Sequence, residues 1–265
     1  MSLLELVVQA LVQGITEFLP VSSAGHLILV REVLGWPDPG LDFDVAVHVG
    51  TLLAVVVYLR HDVLRLAVGL FRLLRGRRSA ETRLVLLVGV ATLPIVIVGY
   101  LGKDFVAGST RMVELVAATT FGFGVLLYLA DRVGARHHSV DGIKIGHALA
   151  IGIAQVLALL PGTSRSGITM TMARALGYGR DAAARFSFLI SIPTIAGAGL
   201  LATLDLVASG DLDLGRDAAL AAVLAFGAAL ATMAVLMRWI QRRSFTPFVV
   251  YRLALGGALM IWIYA

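Results

Sequence analysis

The sequence predicts an all-α, polytopic membrane protein: six transmembrane helices plus two re-entrant helix-loop-helix hairpins in an inverted-topology repeat. Three observations carry this. The 265 residues are 58% hydrophobic and 15% charged, where a soluble domain is about 45–50% apolar and about 25% charged. The basic residues crowd into alternate loops. Two apolar regions are broken, at matching places in the two halves, by Pro, Gly, Ser and Thr.

The apolar excess runs the length of the chain, so lipid takes up the apolar surface. A spanning helix needs roughly 20 apolar residues, so about six spans fit, with little left for a soluble domain. Residues 1–265 then form one integral membrane domain, with repeat 1 at about 1–135 and repeat 2 at about 140–265. Cysteine is absent, which excludes disulfides, thiolate metal sites and a Cys nucleophile. The net charge of +5 is better read as cytoplasmic loop Lys and Arg than as a nucleic-acid surface, so no nucleic-acid partner is expected. No cleavable signal peptide is expected either: acidic Glu5 stands where a basic region would be, and a Pro/Ser/Gly segment follows.

Six apolar stretches read as spans: Val45–Leu59, Leu84–Leu101, Val113–Ala130, Phe186–Leu204, Ala218–Met237 and Phe248–Ala265, the last interrupted by Arg252. Leu3–Val30 is broken by Pro20, Ser22, Ser23 and Gly25, and Ile145–Leu176 by Pro161 and the polar run after it. Pro and Gly interrupt the helical ladder, and backbone freed at membrane depth is tolerated only where protein buries it or it lines a cavity. Both regions therefore read as re-entrant hairpins.

Loop charge sets the orientation. One side carries sixteen basic residues: Arg60, Arg65, Arg72, Arg75, Arg77, Arg78, Arg83, Arg132, Arg136, Lys144, Arg174, Arg180, Arg185, Arg238, Arg242 and Arg243. The other has four, Arg31, Lys103, Arg111 and Arg216, together with Asp38, Asp42, Asp205, Asp211 and Asp213. The positive-inside bias predicts six spans with both termini outside. The first hairpin then opens outward and the second inward.

The halves echo each other. Gly14-Ile15-Thr16-Glu17 matches Gly152-Ile153-Ala154-Gln155, and Pro20–Gly25 matches Pro161–Gly167 with one extra residue. Phe43–Thr51 matches Phe186–Thr194 at constant offset. A hairpin plus three spans per half puts the copies in opposite topology, and interrupted helices at matching places point to a midplane site. That site is expected where the hairpin tips meet.

The first tip is rich in candidate groups. Gln13 and Glu17, four apart, share a helix face, and a carboxylate at this depth is costly enough to imply function; snorkelling to an interface is the alternative. Ser22, Ser23 and His26 follow at once. His26 alone would read as a satisfied core histidine, but beside Glu17 and two hydroxyls an acid/base role is favoured. In the second tip, Pro161–Thr169, small residues lead into a helix N-terminus, which favours an anion. Arg165 adds a planar fork suited to phosphate oxygens. It has no acidic neighbour in sequence, so an anionic ligand is the favoured partner and an ion pair with Glu17 the alternative. Ser164, Ser166 and Thr169 are phosphate donors or helix caps. Arg252 either joins the anion site or pairs with a carbonyl or carboxylate. The inventory fits phosphoryl transfer or hydrolysis at a membrane.

The stretches "QGITEFLPVSSAGHL" and "PGTSRSG" resemble the two signature motifs of the bacterial undecaprenyl-diphosphate phosphatases of the bacitracin-resistance type. The similarity runs along nearly the whole chain, through "FSFLISIP" and the closing "SFTPFVVYR". It implies a multi-pass enzyme of the bacterial inner membrane that removes the terminal phosphate of undecaprenyl diphosphate, regenerating the lipid carrier of peptidoglycan and conferring bacitracin resistance. It also implies a divalent cation, magnesium or calcium. Position by position, the acidic motif falls on Gln13 and Glu17, the serine and histidine on Ser23 and His26, and the arginine on Arg165. Ser164 and Thr169 fall at polar positions of the second motif. Many members carry Glu where Gln13 stands, so Glu17 is the only carboxylate in the motif, with Gln13 as its companion cation ligand.

The mechanism this suggests has the diphosphate entering from the outer, periplasmic side. Arg165 and the loop amides hold phosphate oxygens, with Ser22, Ser164, Ser166, Thr169 and Arg252 as further phosphate contacts. Ser23 or a water attacks, and His26 acts as acid/base or orients Ser23. The partners are the polyprenyl diphosphate lipid, membrane lipids and, as an option, a second copy in a homodimer. The rival reading is a transporter or flippase for a polyprenyl phosphate, since broken helices in inverted repeats also build transporters.

Overall fold

Spans of about 18 to 25 residues dominate the computed structural model, which describes residues 1–102, 113–134, 139–209 and 215–264. Lys103, Arg111, Arg136, Asp211 and Asp213 of the loop-charge count, and Ala265 at the end of the sixth stretch, lie outside the described residues. The chain is all-helical there: α1 Leu3–Thr16, α2 Ser23–Leu34, α3 Leu41–Tyr58, α4 Arg60–Leu74, α5 Ala80–Leu101, α6 Val113–Val133, α7 Ile145–Val156, α8 Arg165–Ala175, α9 Arg180–Ser209, α10 Arg216–Ile240 and α11 Thr246–Tyr264. Short 3₁₀ turns occupy Val140–Gly142 and Leu157–Leu159.

Six of these helices, α3, α5, α6, α9, α10 and α11, are long and apolar enough to cross a membrane, and each covers one of the six predicted stretches to within one residue. The protein is a multi-pass membrane protein. Large apolar side chains such as Leu53, Val57, Leu86, Ile97, Val223 and Trp262 point outward, as a lipid solvent allows. Pro94 and Pro193 sit inside α5 and α9 without ending them, because neighbouring helices re-satisfy the freed backbone in a membrane bundle.

The Arg-rich connection after α3 is not an irregular loop. It forms α4, whose Val63 and Leu66 pack on the core while Leu64, Leu70, Phe71 and Leu74 are exposed. A basic amphipathic helix of this kind lies in a membrane interface; its arginines hid the apolar spacing. Three other supposed loop cations are structural. Fully buried Arg174 bonds Asp131 at 3.1 Å, and Arg180 bonds the same carboxylate at 2.7 and 2.9 Å. Arg185 forks onto buried Asp62 at 2.7 and 2.8 Å. Each carboxylate lies far away in sequence, so spacing alone does not reveal the pair.

The short helices pair across the halves. Helix α1 packs on α10 and α7 on α5, while α3 packs on α9 and α6 on α11. Where lipid is as apolar as the helices, close backbone approach holds them together, and this needs small residues. A Cβ on Gly14 would meet the Ala225 carbonyl at 2.6 Å, and one on Gly152 the Ala91 carbonyl at 2.5 Å. These matched glycines seat α1 and α7 against opposite halves, which carries both helix ends to the centre.

Candidate active site

The loops after α1 and before α8 touch. Ser166 donates to the Leu19 carbonyl at 2.8 Å, and Ser164 reaches the same carbonyl at 3.4 Å. Phe18, fully buried, stacks edge-on against Phe188 of α9 with centroids 5.2 Å apart. Arg252 clamps the junction from α11. Its Nε donates to Thr120 O, Nη1 to Pro20 O and Thr163 O, and Nη2 to Thr119 O and Gly162 O, all between 3.0 and 3.3 Å. A guanidinium has five N–H donors, and here all five are on carbonyls. Of the sequence alternatives for Arg252, the carbonyl pairing is the one present; no donor is left for phosphate.

The two helices that leave the junction begin alike. Ser22 caps α2 and Ser164 caps α8, each accepting from the backbone N–H three residues on, Gly25 at 3.3 Å and Gly167 at 3.1 Å. They are the two non-glycine residues with positive φ, 78° and 71°, among the described residues. Such strain persists only where the surroundings enforce it, and it clusters at functional sites. In both helices the residue after the cap is thereby thrust into the junction: Ser23 in one, Arg165 in the other.

These two side chains meet at Glu17. Its Oε1 accepts from Arg165 Nη2 at 2.8 Å, and its Oε2 accepts from Ser23 Oγ at 2.7 Å and Gln13 Nε2 at 2.9 Å. The ion pair that sequence spacing ranked second for Arg165 is therefore formed, across 148 residues. Arg165 nevertheless keeps Nη1 buried with no hydrogen-bond partner, as is Gln13 Oε1. A buried, unpaired donor on a cation is expensive, and it leaves Arg165 with capacity for a further acceptor. A cavity of about 250 Å³ opens there, lined by Glu17, Ser22, Ser23, His48, Ser164, Arg165 and Thr194, with an apolar wall that includes Ile95, Leu160 and Ile195.

The remaining sequence candidates are placed differently. Thr169 donates to the Arg165 carbonyl at 2.8 Å and pairs with Ser187 at 2.7 Å, and Ser166 is 1% exposed. Both stitch backbone together. His26 has its Nδ1 on the Ser22 carbonyl and its Nε2 on Tyr251 Oη, each at 2.6 Å. It makes no hydrogen bond to Ser23 or Glu17 among the described residues. The structure adds His48, which lines the cavity from α3. The signal for it was in the sequence, an ionisable residue inside a span and inside the matched Phe43–Thr51 segment.

No three His, Cys, Asp or Glu side chains cluster as a metal cage among the described residues. The groups present suit a cation that is otherwise held by an anionic ligand: Gln13 Oε1 is a hard oxygen without a hydrogen-bond partner, and Glu17 is the adjoining carboxylate. Magnesium is commonly held by one or two carboxylates plus substrate phosphates. A larger cavity, about 910 Å³, lies between α5, α6, α7 and α8, but its walls are apolar apart from Thr171. It can hold hydrocarbon and has no group for chemistry.

Fold and site together define a multi-pass membrane protein with a polar cavity lined by an arginine, a carboxylate and a serine. The chain belongs to the bacitracin resistance protein BacA family, whose model matches residues 6–258. It is 49% identical over 257 residues, 97% of each chain, to an undecaprenyl-diphosphatase of Alcanivorax borkumensis. Undecaprenyl-diphosphatases of Hahella chejuensis and Alteromonas mediterranea are 49% and 46% identical over 266 residues, covering 99% or more of both chains.

Proposed function

We propose that this chain is an undecaprenyl-diphosphatase, which hydrolyses undecaprenyl diphosphate to undecaprenyl phosphate and phosphate and so recycles the lipid carrier and underlies bacitracin resistance. Full-length similarity to three such enzymes supports the activity. One structural observation carries the mechanism: the Arg165 fork spends one arm on Glu17 and keeps the other without a hydrogen-bond partner, and Ser23 lines the same cavity.

In this reading a terminal phosphate oxygen takes Arg165 Nη1, and the first isoprene units lie along Ile95, Leu160 and Ile195. Ser23 Oγ–H points at Glu17, which turns the oxygen's lone pairs toward the cavity. Ser23 Oγ attacks the terminal phosphorus as its proton passes to Glu17. The bridging P–O bond breaks, undecaprenyl phosphate leaves with the electron pair, and the proton on Glu17 passes to the departing phosphate oxygen, which restores the carboxylate. Gln13 and Glu17 would hold a divalent cation, whose charge would offset that developing on the phosphoryl oxygens. Arg252, Ser22, Ser164, Ser166 and Thr169 fix the loops.

The positive-inside bias, the matched motifs, the paired caps and the crosswise packing of α1 and α7 support an inverted repeat of two re-entrant hairpins. They also support both termini outside and a site opening to the periplasm. Because the chain has no cysteine, Ser2→Cys and Gly76→Cys can test the orientation. A membrane-impermeant thiol reagent should label the first in intact cells and the second only after lysis; the reverse pattern inverts the assignment.

The decisive assay is phosphate release from undecaprenyl diphosphate by the detergent-purified protein, with magnesium or calcium titrated against chelator. Release is expected, falling about 10²–10³-fold in Arg165→Ala, the scale of losing an electrostatic clamp. No release under any cation condition would replace the enzyme with a transporter for polyprenyl phosphates.

A further inference from the structure

Hydrolysis needs a water, and a water needs a base. Glu17 is poorly suited to this, since its two oxygens are committed to the Arg165 guanidinium and the Gln13 amide. His26 has both ring nitrogens engaged, on Ser22 and Tyr251, and lines neither of the cavities that Ser23 borders.

His48 is different. Its Nδ1 lies 2.7 Å from the Asp44 carbonyl. A carbonyl only accepts, so Nδ1 carries the hydrogen and Nε2 the lone pair. Nε2 makes no hydrogen bond to the described residues. The backbone contact one turn earlier on α3 fixes the tautomer, as an orienting group does for a catalytic imidazole.

His48 also stands at a crossroads. A second cavity, about 400 Å³, is lined by Gln13, Ser23, Arg31, Glu32, Trp36, Asp38, Asp44 and His48 among others. His48, Ser23 and Ala24 border both this cavity and the phosphate cavity. The second cavity is the more polar of the two, and Glu32 and Asp38 at its rim are exposed. Water reaching the phosphorus by this route passes the free nitrogen.

We propose that His48 is the general base that activates the hydrolytic water, drawing it from the second cavity; this rests on the function proposed above. As the water oxygen bonds to phosphorus, one of its O–H bonds breaks and the proton goes to His48 Nε2. The Ser23 Oγ–P bond breaks with its electron pair on Oγ, and the imidazolium returns the proton to that oxygen. Serine, imidazole and inorganic phosphate are restored.

The charged and titratable groups around His48 are few. Glu17 faces it from the end of α1, Ser23, Arg31 and Glu32 from α2, Asp38 from the following loop and Arg165 from α8, with Asp44 on its own helix. Helix α9 contributes Thr194 and apolar residues to the cavity, and α10 contributes nothing to either.

The test uses the full-length protein in detergent. His48→Ala should lose about 10²–10⁴-fold in kcat, the usual scale of general acid–base catalysis, with KM little changed. Added imidazole should restore part of the loss, because the second cavity admits a ring of that size. Phosphoserine at Ser23 should accumulate in this variant. His48→Gln keeps the size and hydrogen bonding but takes no proton, so it should be equally impaired. Near-normal kcat in His48→Ala, recovery in His48→Gln, or no response to imidazole by a folded His48→Ala overturns the proposal. Wild type that releases no phosphate instead sinks the underlying function, so the two failures are distinct.

Discussion

The two helix–loop–helix segments share a backbone design and divide the chemistry between them. Both end their first helix near the centre, both place a left-handed serine as the next cap, and both thrust the following residue into the junction. That residue is Ser23 in one and Arg165 in the other. One turn before the break the pair diverges again. Glu17 holds three partners, whereas matched Gln155 has a single hydrogen bond, from Nε2 to Ala91 O at 3.2 Å, and leaves Oε1 buried and unpaired. The two segments thus supply position twice and each polar group once. Serine and carboxylate sit on one segment, and the guanidinium sits on the other.

The strongest way to break this division is at Glu17, where the copies join. Glu17→Ala leaves Arg165 as an uncompensated buried charge, a penalty of about 3–5 kcal/mol, and frees the Ser23 hydroxyl from its alignment. Phosphate release should fall about 10³-fold or more, with a lower melting temperature in detergent. Turnover within tenfold of wild type would show that the carboxylate is not the meeting point. The same change on the other copy, Gln155→Ala, should leave turnover within a few-fold of wild type, since nothing reactive touches that side chain.

Much of this was legible in the sequence because membranes impose simple rules. Length and apolar composition locate the six spans to within a few residues at most ends, and Pro20 and Pro161 mark the breaks. The identity of the polar residues at the tips was equally plain. What spacing does not encode is direction. Ser22 and Ser23 are adjacent, yet one caps a helix and the other meets Glu17. His26 is three residues from Ser23 and turns away to Tyr251, 225 residues on. Arg165 and Arg252 carry the same charge, but tertiary contacts alone make one a ligand-facing fork and the other a backbone clamp. His48 went unnoticed although it lies inside a span and inside the matched Phe43–Thr51 segment, because it stands outside both broken tips and only tertiary packing brings it to their cavity.

Arg252 separates scaffold from chemistry at an intermediate scale. Arg252→Met keeps the bulk and strands five buried carbonyls from both loops and α6. Thermal unfolding in detergent should register a loss of about 3 kcal/mol, several hydrogen bonds at about 1 kcal/mol each offset by burying no charge. If stability holds but KM for the lipid diphosphate rises about 100-fold, Arg252 is a phosphate ligand after all and not a clamp.

The finest distinction concerns the two capping serines. Each hydroxyl satisfies one N–H at a helix start, and each backbone sits where glycine is at ease. Ser22→Ala and Ser164→Ala lose the cap and keep the strained φ, so each should cost about 1–2 kcal/mol. Ser22→Gly and Ser164→Gly lose the same hydrogen bond but relieve the backbone, and should cost only a few tenths of a kcal/mol. Turnover should track stability and not the hydroxyl, so the glycine variants should hydrolyse the lipid nearly as fast as wild type. Should either glycine variant remain stable and yet lose about 100-fold in kcat/KM, that serine contacts phosphate directly. The matched caps would then be as unequal in chemistry as the residues that follow them.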